Sequence, residues 1–293
     1  FVLTSCNESN IMTVDTSLTA NNNFSGQQQI TITFPDSVTK SATLTEKLEK
    51  IIKNSCPSEL SFSKLNSEST SYSFMLNFDS KNDYCEKIKK LIGYEPVVAF
   101  GVYNNMLTNG WSLYEDFDTI EMLKWLETAI KDSEEKRLEL VMQYNQKPVV
   151  TIDGSTGESK GSTNNIYSSK MTGYPVHSVE IHTTNYKNKT YDRKIILSFP
   201  ESTYEKLGDE LEQYISGLAG ATSSETWTKS GDYRVFEAFY EKADYDTIGN
   251  YTSALLSCAE ESVVYGDLTN SSTALAQQLV FEEKLNILGF IPE

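Results

Sequence analysis

The sequence contains little histidine and far less basic than acidic charge. Only 2 histidines are present, and 25 Lys and Arg residues stand against 41 Asp and Glu residues, which gives a net charge of −16. A nucleic-acid partner is not expected, because phosphates require a concentration of Lys and Arg. The same charge disfavours adsorption to anionic lipid head groups through a basic surface. The simplest interpretation of the negative charge is solubility.

The two histidines are poorly placed for metal binding or hydrolysis. His177 and His182 are five residues apart at the predicted start of a β-region. An odd spacing puts the two side chains on opposite faces of a strand, so a shared metal ion is not expected. A Ser-His-Asp hydrolase would need one of these two residues. We therefore predict no catalytic residue, no cofactor and no metal ion, and we predict that the protein is not an enzyme.

Long apolar runs are also missing, since none approaches the roughly 18 residues that a membrane-spanning helix requires. The N-terminal Leu3-Thr-Ser-Cys6 nevertheless resembles the lipobox of bacterial lipoproteins, in which the cysteine becomes lipidated. This resemblance implies that residues 1–10 comprise a signal-peptide remnant, the lipidated Cys6 and a tether. Acyl chains on Cys6 would hold the protein on a membrane. The alternative is an ordinary first strand with a buried cysteine.

Cysteine is scarce, with 4 residues in the chain. Without Cys6, the remaining three are Cys56, Cys85 and Cys258, and an odd number argues against a disulfide framework. A Cys56–Cys85 bridge and two buried free thiols both stay open.

What the sequence does contain is an internal repeat. Val14–Pro35 aligns without a gap with Val179–Pro200, so that aligned residues are 165 positions apart (179 − 14). Both copies alternate Val, Ile, Thr and Phe around an Asn-rich turn, which predicts a β-hairpin. Both end at Phe-Pro, and proline cannot donate to a sheet ladder. Matching positions Ile30 and Ile195 predict the same inward face in both copies.

The elements after the hairpin also repeat. Leu44–Lys53 and Leu207–Ile215 have apolar residues at helical spacing. Each copy then continues with two strands, a second helix and a further strand. In the first copy these elements are predicted at Glu59–Phe62, Ser71–Phe78, Asp83–Tyr84 and Val97–Tyr103, and in the second copy at Glu225–Thr228, Asp232–Phe239, Asp244–Tyr245 and Ser262–Tyr265. Asp83 and Asp244 open the second helices, and each is placed to cap its helix by accepting from first-turn N–H groups. We predict an α+β fold: two tandem β-β-α-β-β-α-β units, each an antiparallel sheet with helices packed on one face. The predicted domains are residues 11–172, with a C-terminal extension, and 173–293.

The extension of the first copy has its own pattern. Asp118–Glu121 is a capping-box pattern and predicts a helix over Thr119–Lys136. Leu138–Tyr144 and Val149–Ile152 are predicted as closing strands.

Two carboxylate pairs have the composition of a glycosidase site: Asp116 with Asp118, and Glu260 with Glu261. With 41 acidic residues such pairs are expected by chance, and a helix cap or a solvated face is the more common explanation for them. Asp79, Asn82 and Asp83 suggest calcium ligands, but no twelve-residue calcium loop surrounds them. Aromatic residues that could stack on sugars or pack in the core are Tyr103, Trp111, Tyr114 and Tyr265.

The first copy resembles the LppM-like lipoproteins of Gram-positive bacteria. The resemblance rests on Cys6, Val14–Thr19, Phe24–Gly26 and Ile30–Phe34, followed by Pro and an amphipathic helix. It implies an envelope-anchored α+β domain and an amphiphile ligand, and it brings no catalytic residues.

We therefore predict a lipoprotein on the extracytoplasmic face of a Gram-positive cell membrane, anchored through acylated Cys6. Its predicted role is a non-catalytic binding or interaction module for a cell-envelope or amphiphile ligand. An amphiphile carrier would show an apolar pocket of about 300 Å³ or more. A glycan hydrolase would show two facing carboxylates about 5–10 Å apart.

Overall fold

The computed structural model describes residues 11–64, 71–256 and 269–280, apart from positions 175, 187, 189, 274 and 275. The chain divides into two units. Unit 1 comprises residues 1–100 with 113–170, and unit 2 comprises residues 101–112 with 171–293. The unit boundary at 170/171 lies close to the predicted domain boundary at 172/173, while residues 101–112 belong to unit 2.

The described residues form mixed helices and strands, so the α+β prediction is confirmed. The strands are β1 (Ile11–Ala20), β2 (Gly26–Thr33), β3 (Ser61–Lys64), β4 (Ser71–Phe78), β5 (Val98–Asn104), β6 (Thr108–Glu115), β7 (Val141–Tyr144), β8 (Val149–Ile152), β9 (Ser155–Thr156), β10 (Glu158–Ser159), β11 (Tyr167–Gly173), β12 (Ser178–Asn185), β13 (Tyr191–Pro200), β14 (Ser224–Ser230), β15 (Tyr233–Ala243), β16 (Thr269–Thr273) and β17 (Ala276–Val280). The α-helices are α1 (Asp36–Thr39), α2 (Ala42–Ser55), α3 (Lys81–Ile92), α4 (Lys124–Asp132), α5 (Glu201–Leu207), α6 (Asp209–Ala219) and α7 (Tyr245–Leu255). Short 3₁₀ segments cover Thr119–Leu123 and Lys136–Leu138. None of the helices in this described part is both long enough and apolar enough to cross a membrane.

The main sheet of unit 1 has the order β3-β4-β2-β1-β8-β9, and β7 also pairs with β1. The predicted antiparallel pairing is present among β1, β2, β3 and β4. The closing strands of the extension differ, because β7 and β8 both pair in parallel with β1. Parallel pairing requires the chain to return to the starting end of the sheet, usually through a helix. The stretch that contains α4 lies before β7 and supplies that length. The predicted closing strands therefore exist, with β7 beginning at Val141.

The predicted helix over Thr119–Lys136 is interrupted. A 3₁₀ turn precedes α4, and α4 ends at Asp132. Glu134 has a φ of 56°, a left-handed conformation that stops the helix before Lys136. The predicted cap is present, since the side chain of Asp118 accepts a hydrogen bond from the Ile120 amide.

The two hairpins lie in different sheets. The sheet of unit 2 has the order β12-β13-β15-β14 and is antiparallel throughout. The matched positions of the repeat share an inward face, since all six of the following side chains are at most 2% exposed: Ile30, Ile32, Phe34, Ile195, Leu197 and Phe199. The last strand of the second copy, Ser262–Tyr265, lies outside the described residues, so the complete repeat unit stays a prediction.

The helices of the two copies differ in detail. The predicted helix at Leu207 is split, because Gly208 adopts a φ of 54° between α5 and α6. Asp244 caps α7 as predicted, accepting from the Thr247 amide at 2.8 Å. The cap of α3 is instead Ser80, so the capping role predicted for Asp83 is wrong. Small polar side chains compete for such positions, and only the local backbone decides between them.

Candidate functional site

Unit 1 contains an open groove of about 680 Å³ between α2 and α4. The groove is lined by Lys47, Lys50, Ile51, Asn54, Ser55, Trp125, Thr128, Ala129, Asp132, Ser133 and Glu135. Its position follows from the amphipathic pattern of α2. Leu44, Leu48 and Ile52 are buried, and the opposite face of the helix remains available to solvent.

The floor of the groove is apolar. Ile51, Trp125 and Ala129 are half-buried and line it. The ring of Phe74 packs edge to face against Trp125, with ring centroids 5.5 Å apart. Its indole Nε1–H is buried and has no hydrogen-bond partner in the described part of the chain. A large, rigid aromatic surface of this kind favours a ligand with a flat apolar face.

An ion-pair network includes two of the residues that line the groove. Lys47 Nζ lies 2.8 Å from Glu135 Oε2, and Arg137 Nε lies 2.8 Å from Glu135 Oε1. Hydrogen bonds from Arg137 and then Lys47 lower the pKa of Glu135 to about 2. The carboxylate of Glu135 therefore stays ionised and paired, which suits a structural role rather than that of a general acid.

Four polar side chains on the rim are available to a ligand. Lys50, Asn54, Ser55 and Asp132 are exposed, and none makes a side-chain hydrogen bond or ion pair within the described ranges. The hydroxyl of Thr128, in contrast, donates to a carbonyl of the preceding turn at 2.9 Å. The rim thus offers an ammonium, a carboxylate, an amide and a hydroxyl around an apolar floor. This combination can hold an uncharged or zwitterionic molecule with both polar and apolar surfaces.

A second polar feature of unit 1 is fully buried. Glu115, at the end of β6, and Gln28, on β2, are both 0% exposed. Tyr84 of α3 lies between them, with its hydroxyl oxygen 2.6 Å from Glu115 Oε1 and 3.0 Å from Gln28 Oε1. Glu115 Oε2 and Gln28 Nε2 have no partner in the described chain.

Burial affects the protonation of both Glu115 and Tyr84. Burial raises the pKa of Glu115 to about 8, against a smaller opposing effect of the Tyr84 hydrogen bond. Glu115 is therefore mostly protonated at neutral pH. The Tyr84 hydroxyl has one proton and two acceptors within reach, Glu115 Oε1 and Gln28 Oε1. When the carboxyl of Glu115 is protonated, it can donate to the Tyr84 oxygen and leave the Tyr84 hydroxyl to donate to Gln28. Burial also raises the pKa of Tyr84 well above its usual value, so its proton is retained.

The two histidines do not form a site. The ring of His177 stacks on Tyr233 with centroids 4.1 Å apart, while His182 Nε2 lies 3.4 Å from Glu180 on an exposed face. Across the described ranges, no group of three or more His, Cys, Asp or Glu side chains is arranged to hold a metal ion.

The two side chains of the carboxylate pair considered in unit 1 both accept hydrogen bonds from backbone amides. Asp116 accepts from the Val97 amide at 2.8 Å, and Asp118 accepts from the Ile120 amide and the Tyr144 hydroxyl. The other pair, Glu260 with Glu261, lies outside the described residues.

Of the three residues considered as calcium ligands, Asp83 is engaged in local contacts. Asp83 accepts from the Asp79 amide at 3.0 Å and forms an ion pair with Lys87 at 2.8 Å. This ion pair lowers the pKa of Asp83, chiefly through the hydrogen bond from Lys87. Asp83 therefore takes part in local helix contacts.

The aromatic residues considered for sugar stacking pack into the protein. Tyr103 and Trp111 are each 4% exposed, and Tyr114 packs edge to face on Tyr167 at 6.0 Å. The fourth, Tyr265, lies outside the described residues.

Among the described residues of unit 1, Cys56 and Cys85 are not joined by a disulfide. Both side chains are half-buried, and burial raises the pKa of the Cys56 thiol. Cys6 and Cys258 lie outside the described residues, so lipidation of Cys6 stays a prediction.

Gly157–Gly161 matches the G-x-S-x-G pattern of hydrolase nucleophile elbows. Its serine, Ser159, lies in β10 and pairs with Ser168 of β11. A nucleophile elbow needs a sharp turn from a strand into a helix, so this match carries no catalytic meaning.

Sequence reasoning missed both the groove and the buried acid. Lys47, Lys50 and Asn54 recur at helical spacing on the polar face of α2. That pattern is identical to the pattern of an ordinary solvated helix face, and only the packing of α4 beside α2 turns it into a groove. In β6 the side chains of Leu113 and Glu115 are buried, and Tyr114 between them is not. This alternation was the one signal in the sequence that Glu115 points inward.

Comparisons with known proteins provide no relative. No protein-family model matches this sequence, and searches among curated proteins and among solved structures found no significant match.

Proposed function

We propose that this chain is a non-catalytic binding module, anchored through acylated Cys6 to the extracytoplasmic face of a Gram-positive cell membrane, and that its ligand occupies the α2/α4 groove. The observation that carries the binding part is the groove itself. It combines the Trp125 floor with the four rim groups Lys50, Asn54, Ser55 and Asp132, which have no partner within the described chain. Such a site recognises a cell-envelope molecule with a polar edge and an apolar face.

The groove can be tested by binding of defined probes. We expect soluble peptidoglycan fragments to give saturation-transfer NMR signals with the full chain, and we expect Lys50→Ala and Trp125→Ala to weaken that binding at least tenfold, or about 1.4 kcal/mol. Lys53→Ala is the matched control, because Lys53 is an exposed lysine on the same helix that does not line the groove. Equal losses for Lys50→Ala and Lys53→Ala would contradict the assignment of the site.

An amphiphile carrier is the second candidate. The volume of about 680 Å³ and the apolar floor of Ile51, Trp125 and Ala129 favour this candidate. The exposed polar rim instead favours the binding module, whose ligand keeps contact with water. A short-chain phospholipid used in the same NMR experiment separates the two candidates. A glycan hydrolase has less support, because Asp116 and Asp118 bind backbone amides and Glu135 is held in ion pairs.

The anchor has its own test. We expect Cys6→Ala to move the full-length protein from the membrane fraction to the soluble fraction, because the acyl chains provide the membrane affinity. Fractionation followed by immunoblotting measures the change. Retention of the variant on membranes would remove the lipoprotein part of the proposal.

A further inference from the structure

Strand β14 forms one edge of the unit 2 sheet. Within the described part of the chain it hydrogen-bonds only to β15, so its other side presents unpaired backbone amides and carbonyls. Six of its seven residues are exposed, and only Trp227 is half-buried. Proteins usually protect such edges with proline, bulges, charged side chains or a covering element, because an open edge pairs readily with another strand. β14 contains no proline and pairs with β15 in unbroken register.

The sequence of β14 is nearly the same in both directions. It reads Ser224-Glu-Thr-Trp-Thr-Lys-Ser230, so reversal about Trp227 only exchanges Glu225 with Lys229. If two copies of β14 pair antiparallel with the two Trp227 residues opposite each other, the other cross-strand pairs of charged residues and threonines are also favourable. Glu225 faces Lys229 of the second copy twice, Thr226 faces Thr228 twice, and the two Trp227 residues meet at the centre. Opposite charges, paired threonines and paired aromatics are the combinations that stabilise neighbouring strands.

We propose that β14 is a self-association surface, through which two copies of this chain join their unit 2 sheets edge to edge, antiparallel, with Trp227 at the two-fold axis. A closed two-fold dimer requires a surface patch that complements itself, and the charge pattern of β14 meets this condition. The proposal is independent of the α2/α4 groove.

The side chains needed for this pairing are held in place and remain accessible. Trp227 packs on Phe236 and Phe199, with ring centroids 5.0 and 5.8 Å apart, which fixes the indole ring at the edge of the sheet. Lys229 lies 2.9 Å from Glu201 but keeps 55% of its side chain exposed, so it can still reach Glu225 of a second copy. Glu225 is exposed.

Charge exchange tests the proposal. We expect the full chain to be dimeric by sedimentation equilibrium at about 0.1 mM, a range that detects weak association. Glu225→Lys and Lys229→Glu should each weaken self-association at least tenfold, because each places like charges opposite one another at two positions. A 1:1 mixture of the two variants should form a heterodimer, visible by native mass spectrometry, since every lysine then faces a glutamate.

The control is Glu180→Lys, the same change on β12 at the opposite edge of the sheet. It should leave the dimer intact, and dissociation by this variant would overturn the assignment to β14. A monomeric wild-type chain, dimeric single variants or a mixture without heterodimer would also overturn it.

A measurement on the wild-type chain avoids any folding defect of the variants. Hydrogen exchange of the peptide 224–230 should slow as the concentration of the full chain rises from about 1 μM to 0.1 mM. An exchange rate that is independent of concentration would refute the proposal.

Discussion

The buried carboxyl of Glu115 makes the stability of unit 1 depend on pH in a direction that is unusual for an acid. Its pKa is about 8 in the folded protein, against 4.5 as the ordinary value, because burial disfavours the charged form. The folded state therefore keeps a proton that the unfolded chain has already lost. The contribution to the free energy of unfolding is fully present below pH 4.5 and declines as the pH rises towards 8.

The magnitude follows from the size of the shift. One pKa unit corresponds to about 1.4 kcal/mol, so the rise from 4.5 to about 8 corresponds to roughly 5 kcal/mol across this window. The slope is at most about 1.4 kcal/mol per pH unit, since one proton is involved. Such a loss is large compared with the 5–15 kcal/mol or so that typically stabilises a folded protein.

The test is Glu115→Gln, which keeps the shape and the hydrogen bonds but removes the titration. The new amide can donate to the Tyr84 oxygen while Tyr84 continues to donate to Gln28. We expect similar stability of the two proteins at pH 5 and a variant that is several kcal/mol more stable at pH 8.

Urea unfolding at pH 5, 6, 7 and 8 measures the effect. Hydrogen exchange of peptides from α3 and β2, which both belong to unit 1, localises it to that unit. Glu127→Gln, the same change at an exposed position of α4, should leave the pH dependence as in the wild type. Parallel stability curves for the wild type and Glu115→Gln between pH 5 and 8 would refute the reasoning.

Two further predictions concern packing. Leu48→Ala and Leu211→Ala should each lower the free energy of unfolding by about 2–5 kcal/mol, because both side chains are almost completely buried. Urea unfolding measures the change. An unchanged midpoint for either variant would show that its helix does not bury this face. Gly26→Ala should cost about 1–3 kcal/mol, because a Cβ atom there would lie 2.1 Å from the Thr19 carbonyl oxygen across the hairpin. The helical Gly217→Ala is its control, since a Cβ atom at that position meets nothing within 4 Å and the change should be neutral or slightly stabilising.

The sequence by itself determined the elements that depend on local periodicity. The alternation around Ile30 and Ile195 predicted two hairpins with buried inward faces, and both are present. Helical spacing predicted the buried residues Leu48 and Leu211. A slip of one residue would turn a strand's apolar side chains to solvent, so the pattern of side chains is enough to fix the inward face.

The tertiary structure alone decided which elements meet. The parallel pairing of β1 with β7 and β8 joins residues more than one hundred positions apart, and no local pattern encodes such a partner. The groove exists because α4 packs beside α2, and the pKa of Glu115 is raised because other elements bury it. Burial and partner choice are properties of the assembled chain, since they depend on which distant surfaces exclude water from each other.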